Sequence, residues 1–290
     1  MKIYYFSSLF SIVKMIGTSL LQKARLLVDS KGIGGLFVVL LKKLIAKAVV
    51  RRPASLLSVA EKYNCEDTRN SLCGLTSEER QMAALKNLLS YTKSGGKTYS
   101  ATKYPAGYHT IEVLGERLAG QRDPKMRLDS VPFDFSGRTV LDIGCNQGGM
   151  LFEVSDQIKW GVGIDYDTKM VNVCNKIAQI QNSRHITFYT FDIDRDNHLL
   201  IEDFLPSEKV DIVFLLSVCM WVSEWRSLID LCSNISEVLL FESNGTPQLQ
   251  EKQFSYLQSK YKEIVLIRER SNDDELQSNR RLYLAHTKMQ

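Results

Sequence analysis

The chain has 290 residues, 44% of them hydrophobic and 24% charged, with a formal net charge of +4. This length and balance exclude a disordered tail and a small disulfide-stapled scaffold, and leave room for one large α/β domain with an extension. The charge is uneven: residues 1–52 carry ten Lys and Arg against the single acid Asp29, 10 − 1 or about +9, so the remainder sums to about −5.

Along the chain, Ile3 to Val13 is apolar enough for a signal core, but no small-residue cleavage site follows closely, so a cleaved signal is not expected. The run Leu36 to Leu41 ends at Lys42 and Lys43 and is too short to span a bilayer. Leu9, Ile12, Val13, Ile16 and Leu20 recur at helical period, as do Phe37, Leu40, Leu41, Leu44, Ile45 and Ala48. Such basic amphipathic helices either lie in a membrane interface with lysines towards lipid phosphates or pack on the rest of the chain. Thr76 with Glu79 predicts a capping box opening a helix to about Tyr91, with Met82, Leu85, Leu88 and Leu89 on one face. Ser94-Gly95-Gly96 ends it as a candidate hinge. Residues 1–96 therefore read as a basic helical extension and 97–132 as a lid or acceptor segment.

From residue 133 onward strands and helices alternate. Apolar, β-branched runs stand at Thr139–Ile143, Gly161–Ile164, Ile186–Phe191, Asp211–Leu216, Glu237–Phe241, Glu263–Ile267 and Arg281–Ala285. This rhythm predicts an α/β fold, a doubly wound Rossmann-like sheet, mostly parallel, with the last two strands as an antiparallel hairpin at one edge. Its ligand belongs at the carboxyl ends of the strands. The six cysteines form no C-x-x-C pair, and no histidine stands at zinc-ligand spacing, so a reduced, cytoplasmic protein without a metal is expected.

The chemistry concentrates in Val140-Leu141-Asp142-Ile143-Gly144-Cys145-Asn146-Gln147-Gly148-Gly149, where a buried strand meets a glycine-rich turn and then a helix. Glycines there let a ligand approach the backbone. Nicotinamide enzymes use a similar turn, which keeps an oxidoreductase as an alternative, although a proper G-x-G-x-x-G is absent. Asp165 ends the second strand, where a carboxylate can accept both ribose hydroxyls, and Asp192 follows the third, within reach of an adenine amine. Acids at three successive strand ends suit a cationic nucleoside better than a pyrophosphate.

These residues resemble class I S-adenosylmethionine methyltransferases over about Phe133 to Lys288. The resemblance implies a seven-stranded sheet with an antiparallel last strand, and S-adenosyl-L-methionine as cofactor. It implies that Gly144, Asn146 and Gly148 line the methionine part, Asp142 orients the turn, Asp165 holds the ribose and Asp192 the adenine amine. Ile193 would pack on the adenine ring, and Ser217, ending the fourth strand, joins the same set. Asn146 departs from the commoner glycine. The Asn-Pro-Pro-Tyr signature of base methylases is absent after the fourth strand.

For the acceptor, the chain is similar to enzymes of bacterial surface-polysaccharide clusters. That likeness implies O-methylation of a glycan hydroxyl or a terminal phosphate, on a glycan or lipid-linked glycan at the inner membrane face. A hydroxyl needs a base, for which His109 and Glu242 are the candidates. A phosphate needs cations, for which Arg122 and Arg127 stand ready. Tyr108 and Trp221, with Trp225, could wall the acceptor, as aromatic faces suit sugars. RNA is the alternative acceptor suggested by the basic arm. Its lysines alternate with aliphatics and not with stacking aromatics, which makes nucleic acid the less expected partner.

Overall fold

The computed structural model describes residues 74–93, 100–271 and 278–288. The basic segment 1–52, its helical repeats and the Ser94-Gly95-Gly96 hinge lie outside the described residues, as do Cys65 and Cys73. One compact unit runs from Leu75 to the C-terminus.

Seven strands form the central sheet: β5 (Thr139–Ile143), β6 (Trp160–Asp165), β7 (Ile186–Thr190), β8 (Val210–Leu216), β9 (Ser236–Glu242), β10 (Glu263–Arg268) and β11 (Leu282–His286). Their order is β10-β11-β9-β8-β5-β6-β7. Side chains alternate between the two faces of the pleat. Leu141, Ile143, Val213 and Leu239 enter one core with α5 (Trp225–Ile235) and α6 (Pro247–Lys260). Val140, Ile212, Phe214 and Leu240 enter the other with Met150 and Leu151. Both faces are covered, which is why these runs are apolar throughout.

Leu141 pairs in parallel with Val162 on one side and Val213 on the other. The strand order reverses between β5 and β8, and that switch point opens the crevice where ligands of such sheets bind. The expected hairpin is present with an added detail. β11 is antiparallel to both neighbours, Leu284 facing Leu240 and Val265, so it inserts between β9 and β10 and leaves β10 at the edge.

The helix expected after Thr76 is α1 (Ser77–Thr92). Thr76 Oγ1 accepts from the Glu79 N–H at 3.2 Å, and Glu79 accepts from the Thr76 N–H at 2.7 Å, closing the capping box. Met82, Leu85 and Leu89 are buried against Val173 and Ile177 of α4 (Thr168–Gln181), with Leu88 at the margin. This helix therefore belongs to the same compact unit as the sheet. The segment read as a lid contains four short strands: β1 (Gly107–His109), β2 (Ile111–Val113), β3 (Glu116–Leu118) and β4 (Gly120–Arg122). β2 and β3 form a hairpin across Leu114 and Gly115, both at positive φ (52° and 75°). A primed turn normally announces itself by Asn-Gly or Asp-Gly; leucine in the first position hides it. β1 pairs in parallel with β4, placing His109 beside Arg122. Then α2 (Pro124–Leu128) starts at the Asp123 cap. Among the described residues no helix is long and apolar enough to cross a membrane.

Candidate active site

β5 delivers the glycine-rich turn to the switch point. Gly144, Asn146 and Gly148 all have positive φ (76°, 52° and 71°) before α3 (Gly149–Glu153) begins. A Cβ on Gly144 would stand 2.7 Å from Val218, and one on Gly148 2.8 Å from the Phe188 ring, so neither position tolerates a side chain. Asn146 adopts the left-handed conformation that Asn accepts more readily than most residues, and its Oδ1 takes the Gln147 N–H at 2.9 Å. Asp165 Oδ2 accepts from the Asn146 N–H at 2.8 Å and Oδ1 from the Asp167 N–H at 2.9 Å. The second strand end thereby fixes the turn of the first.

Asp142 is buried beneath that turn, and its Oδ2 has no hydrogen-bond partner. Burial pushes its carboxyl up to about 7; Arg127 opposes the rise and Asp165 adds to it. Burial likewise raises Asp165 to about 6 against the pull of its two backbone donors. Asp192 sits beside them, since the Phe191 N–H bonds the Asp165 carbonyl at 2.9 Å. Its Oδ1 accepts from the Asp194 N–H at 3.1 Å, and Arg195 lies 3.6 Å from the carboxylate. Ile193 is buried in the core next to it. Two buried acids of raised proton affinity, one with an orphaned oxygen, beside a turn packed tightly at Gly144 and Gly148, fit a cationic nucleoside. A positive charge there would favour the ionised form of both carboxylates.

A second cluster stands at the end of β9. Glu242, 2% exposed, receives Arg122 at 3.0 Å and Arg127 at 2.6 Å, with Arg280 at 3.8 Å. The Ser217 hydroxyl donates to the same carboxylate and accepts from Arg280 at 3.0 Å. Arg122 also donates to Ser271 at 3.1 Å. Burial would raise the Glu242 carboxyl, but Arg127, Arg122 and Arg280, with the Ser217 bond, push it well below the usual carboxylate range. A proton-accepting role for Glu242 does not fit this environment; the carboxylate anchors guanidiniums. The arginines come from β4, from α2 and from the segment before β11, a convergence of distant segments with no spacing signal. Arg280 and Ser271 escaped the sequence reading for that reason. Ser217, expected at the cofactor, takes φ 62° and closes this cluster, while its neighbour Val218 packs on Gly144. The two clusters are thus adjacent.

His109 is buried, and its Nδ1 accepts from the Gly149 N–H at 3.3 Å, with the Tyr108 ring 4.8 Å away. That bond occupies the basic nitrogen of the neutral ring. Trp221 is 68% exposed, whereas Trp225 is buried edge-on to Tyr256 at 5.7 Å, so of the two only Trp221 is available as a wall. Cys145, Cys174, Cys219 and Cys232 are buried thiols raised by desolvation, packing as small apolar groups. Among the described residues no cluster of three or more His, Cys, Asp or Glu could hold a metal ion.

Residues 134–270 match the family model described as a methyltransferase domain. Over 121 residues the chain is 27% identical to the U6 snRNA methylphosphate capping enzyme Amus of Drosophila melanogaster, a match that covers 37% of this chain and 40% of that one. The chain thus spans well under half the length of that relative. The N-terminal domain of EvdMO1, solved in the presence of SAH and D-fucose, is similar in fold with a TM-score of 0.53 at 12% identity, over 74% of this chain and 98% of that one. The nicotinamide alternative loses its ground. Residues 134–270, which hold the glycine-lined turn and most of the seven-stranded sheet, thus carry a methyltransferase domain that uses S-adenosylmethionine.

Proposed function

We propose that the chain transfers the methyl group of S-adenosylmethionine to an oxygen of a terminal phosphate, carried on a glycan or lipid-linked glycan at the inner face of a membrane during surface-polysaccharide biosynthesis. The observation that supports the phosphate is an excess of cation next to the cofactor turn: Arg122, Arg127 and Arg280, their side chains 0%, 4% and 8% exposed, meet the single carboxylate Glu242, so an acceptor phosphate binds only where this buried cluster opens to it. Guanidinium is the planar, multi-donor group that matches phosphate oxygens, and its charge persists at any physiological pH.

In this reading the bound cofactor supplies an electrophilic methyl on a sulfonium. Gly144, Asn146 and Gly148 border its methionine part; Asp165 takes the ribose, Asp192 the adenine amine, and Ile193 packs on the ring. Asp142 faces the positive end. Arg122 and Arg127 hold the acceptor so that one phosphate oxygen lies in line with the methyl at about 3–3.5 Å, the alignment that supplies much of the rate. An O–C bond forms as the S–C bond breaks, leaving the phosphate methyl ester and S-adenosylhomocysteine. An anionic oxygen needs no base, which agrees with His109 being engaged at Gly149 and Glu242 being held ionised. Tyr108 and the exposed Trp221 offer ring faces for the sugar beyond the phosphate.

A second reading keeps the phosphate and changes its carrier to RNA. The name of the Drosophila relative, a methylphosphate capping enzyme of U6 snRNA, favours it. The test gives methyl-labelled S-adenosylmethionine to the full chain with a phosphate-terminated glycan, the same glycan after phosphatase, and a 5′-phosphorylated RNA. Label is expected on the phosphorylated glycan alone, in a form that phosphatase no longer removes. Equal labelling of the dephosphorylated glycan would refute the phosphate, and labelling of RNA alone would move the assignment to the second reading.

A further inference from the structure

Gln147 lies inside the glycine-rich turn, yet its side chain points away from the strand ends and is fully buried. Its Oε1 accepts from the His109 N–H at 2.8 Å, and its Nε2 donates to the Ala106 carbonyl at 2.8 Å and to Thr92 Oγ1 at 3.2 Å. One amide therefore ties the turn to the end of α1, to the loop before β1 and to β1. A second tie runs beside it, from the Gly149 N–H to His109 Nδ1 at 3.3 Å.

The tied segment carries the arginines. His109 pairs with Arg122 in the β1–β4 ladder, and the Thr110 N–H bonds the Arg122 carbonyl at 2.8 Å. The contact is too close for slack. A Cβ on Gly149 would stand 2.7 Å from Pro124 and 2.8 Å from the His109 ring, and one on Gly120 would collide with the His109 carbonyl. Pro124 opens the helix that bears Arg127. On its other side the turn is held by Asp165 through the Asn146 N–H. Asn146 and Gln147 are consecutive, so whatever fixes the backbone of the one orients the amide of the other.

We propose that Gln147 is a positioning residue: through its amide, filling the cofactor turn orders β1 and β4 and sets the acceptor arginines, so that cofactor and anionic acceptor favour each other's binding. The part concerning the acceptor rests on the reading of Arg122 and Arg127 as phosphate ligands; the ordering of β1 and β4 does not. Short strands with few ladder bonds open locally at low cost, which makes them responsive to such a tie.

The test compares the full chain with its Gln147→Leu variant, which fills similar volume without polar atoms, and with Leu85→Ala, which weakens the α1 packing and leaves the tie intact. Hydrogen exchange decides the inference. S-adenosylhomocysteine is expected to protect the amides of residues 107–122 in the wild type and in Leu85→Ala, and to leave them unprotected in Gln147→Leu although the turn itself is still protected. Equal protection of 107–122 in Gln147→Leu would overturn the proposal, as would no protection there in the wild type. Gln147→Glu keeps the acceptor for the His109 N–H and is expected to restore part of the effect. Titration with inorganic phosphate, with and without S-adenosylhomocysteine, addresses the acceptor separately. The wild type is expected to bind phosphate about fivefold or more tightly with the nucleoside present, and Gln147→Leu to lose that factor. Protection that follows Gln147 without any phosphate binding would sink the phosphate reading alone and leave the ordering role standing.

Discussion

Asp142 and Asp165 share one sheet edge with Arg127 close by, and their titration gives the cofactor site a pH dependence whose sign is set by burial. Their carboxyls are raised to about 7 and about 6, so in the ligand-free protein both take up protons at a higher pH than an exposed aspartate does. A cationic ligand favours the ionised forms, so its binding releases protons and tightens as pH rises through that window. For Asp142 alone, full ionisation on binding makes affinity for S-adenosylmethionine roughly tenfold higher at pH 8 than at pH 6. Calorimetry at the two values checks this, and Asp142→Asn should flatten the difference; a flat wild-type profile would contradict the assignment. In the ligand-free fold the same residues act the other way. Their native pKa values exceed the ordinary 3.8, so the native state holds more protons than the unfolded chain, and their contribution falls as pH climbs from about 4 to about 7. Glu242 has the opposite sign. Its contribution is present above the ordinary 4.5 and is lost as acid protonates it. Asp142, Asp165 and the glycines of the turn were legible because they stand at strand ends in one short motif. Gln147 was not, because nothing in its own neighbourhood reveals that His109, Ala106 and Thr92 will fold against it.

Helix α1 shows how an element's existence and its attachment are different kinds of information. The capping box and the 3.6-residue apolar period are local, and they fixed its start and its buried face in advance. That this face meets Val173 and Ile177 of α4 is a packing outcome. Leu85 is fully buried in that contact, so Leu85→Ala should cost about 2–5 kcal/mol by lost transfer energy and the cavity left behind. Urea denaturation of the full chain measures it, and a loss below about 1 kcal/mol would mean that α1 is not docked as described. The four short strands between Gly107 and Arg122 were read only as a lid. Three-residue strands carry too little periodicity to register, and the Leu114-Gly115 turn lacks the usual signature.

Considered as one molecule, the chain joins a basic N-terminal arm to a mildly acidic body. The arm lies outside the described residues, and its charge of about +9 over 1–52 comes from the sequence. If it contacts anionic lipid, each lysine or arginine near the surface contributes roughly 1 kcal/mol, so removing 1–52 should largely abolish sedimentation with phosphatidylserine vesicles. Binding of S-adenosylhomocysteine should be unchanged, since the strands and the turn proposed to form the nucleoside site all lie beyond residue 132. Unchanged sedimentation of the truncated chain would refute the membrane role. The same proteins tested against a single-stranded RNA distinguish lipid from nucleic acid as the arm's polyanion.

The amino-acid order already specified a covered parallel sheet, the turn after its first strand and the acids that follow, because hydrophobic period and glycine placement act over a few residues. The meeting of Arg122, Arg127 and Arg280 at Glu242 emerged from the folded arrangement alone. Those four side chains come from segments up to 158 residues apart (Arg122 to Arg280), and no local rule relates them. The fold also surrounds Glu242, one of two candidate bases by sequence, with three guanidiniums. A carboxylate's proton affinity depends on which charges surround it, and those charges arrive only when the chain has closed around them.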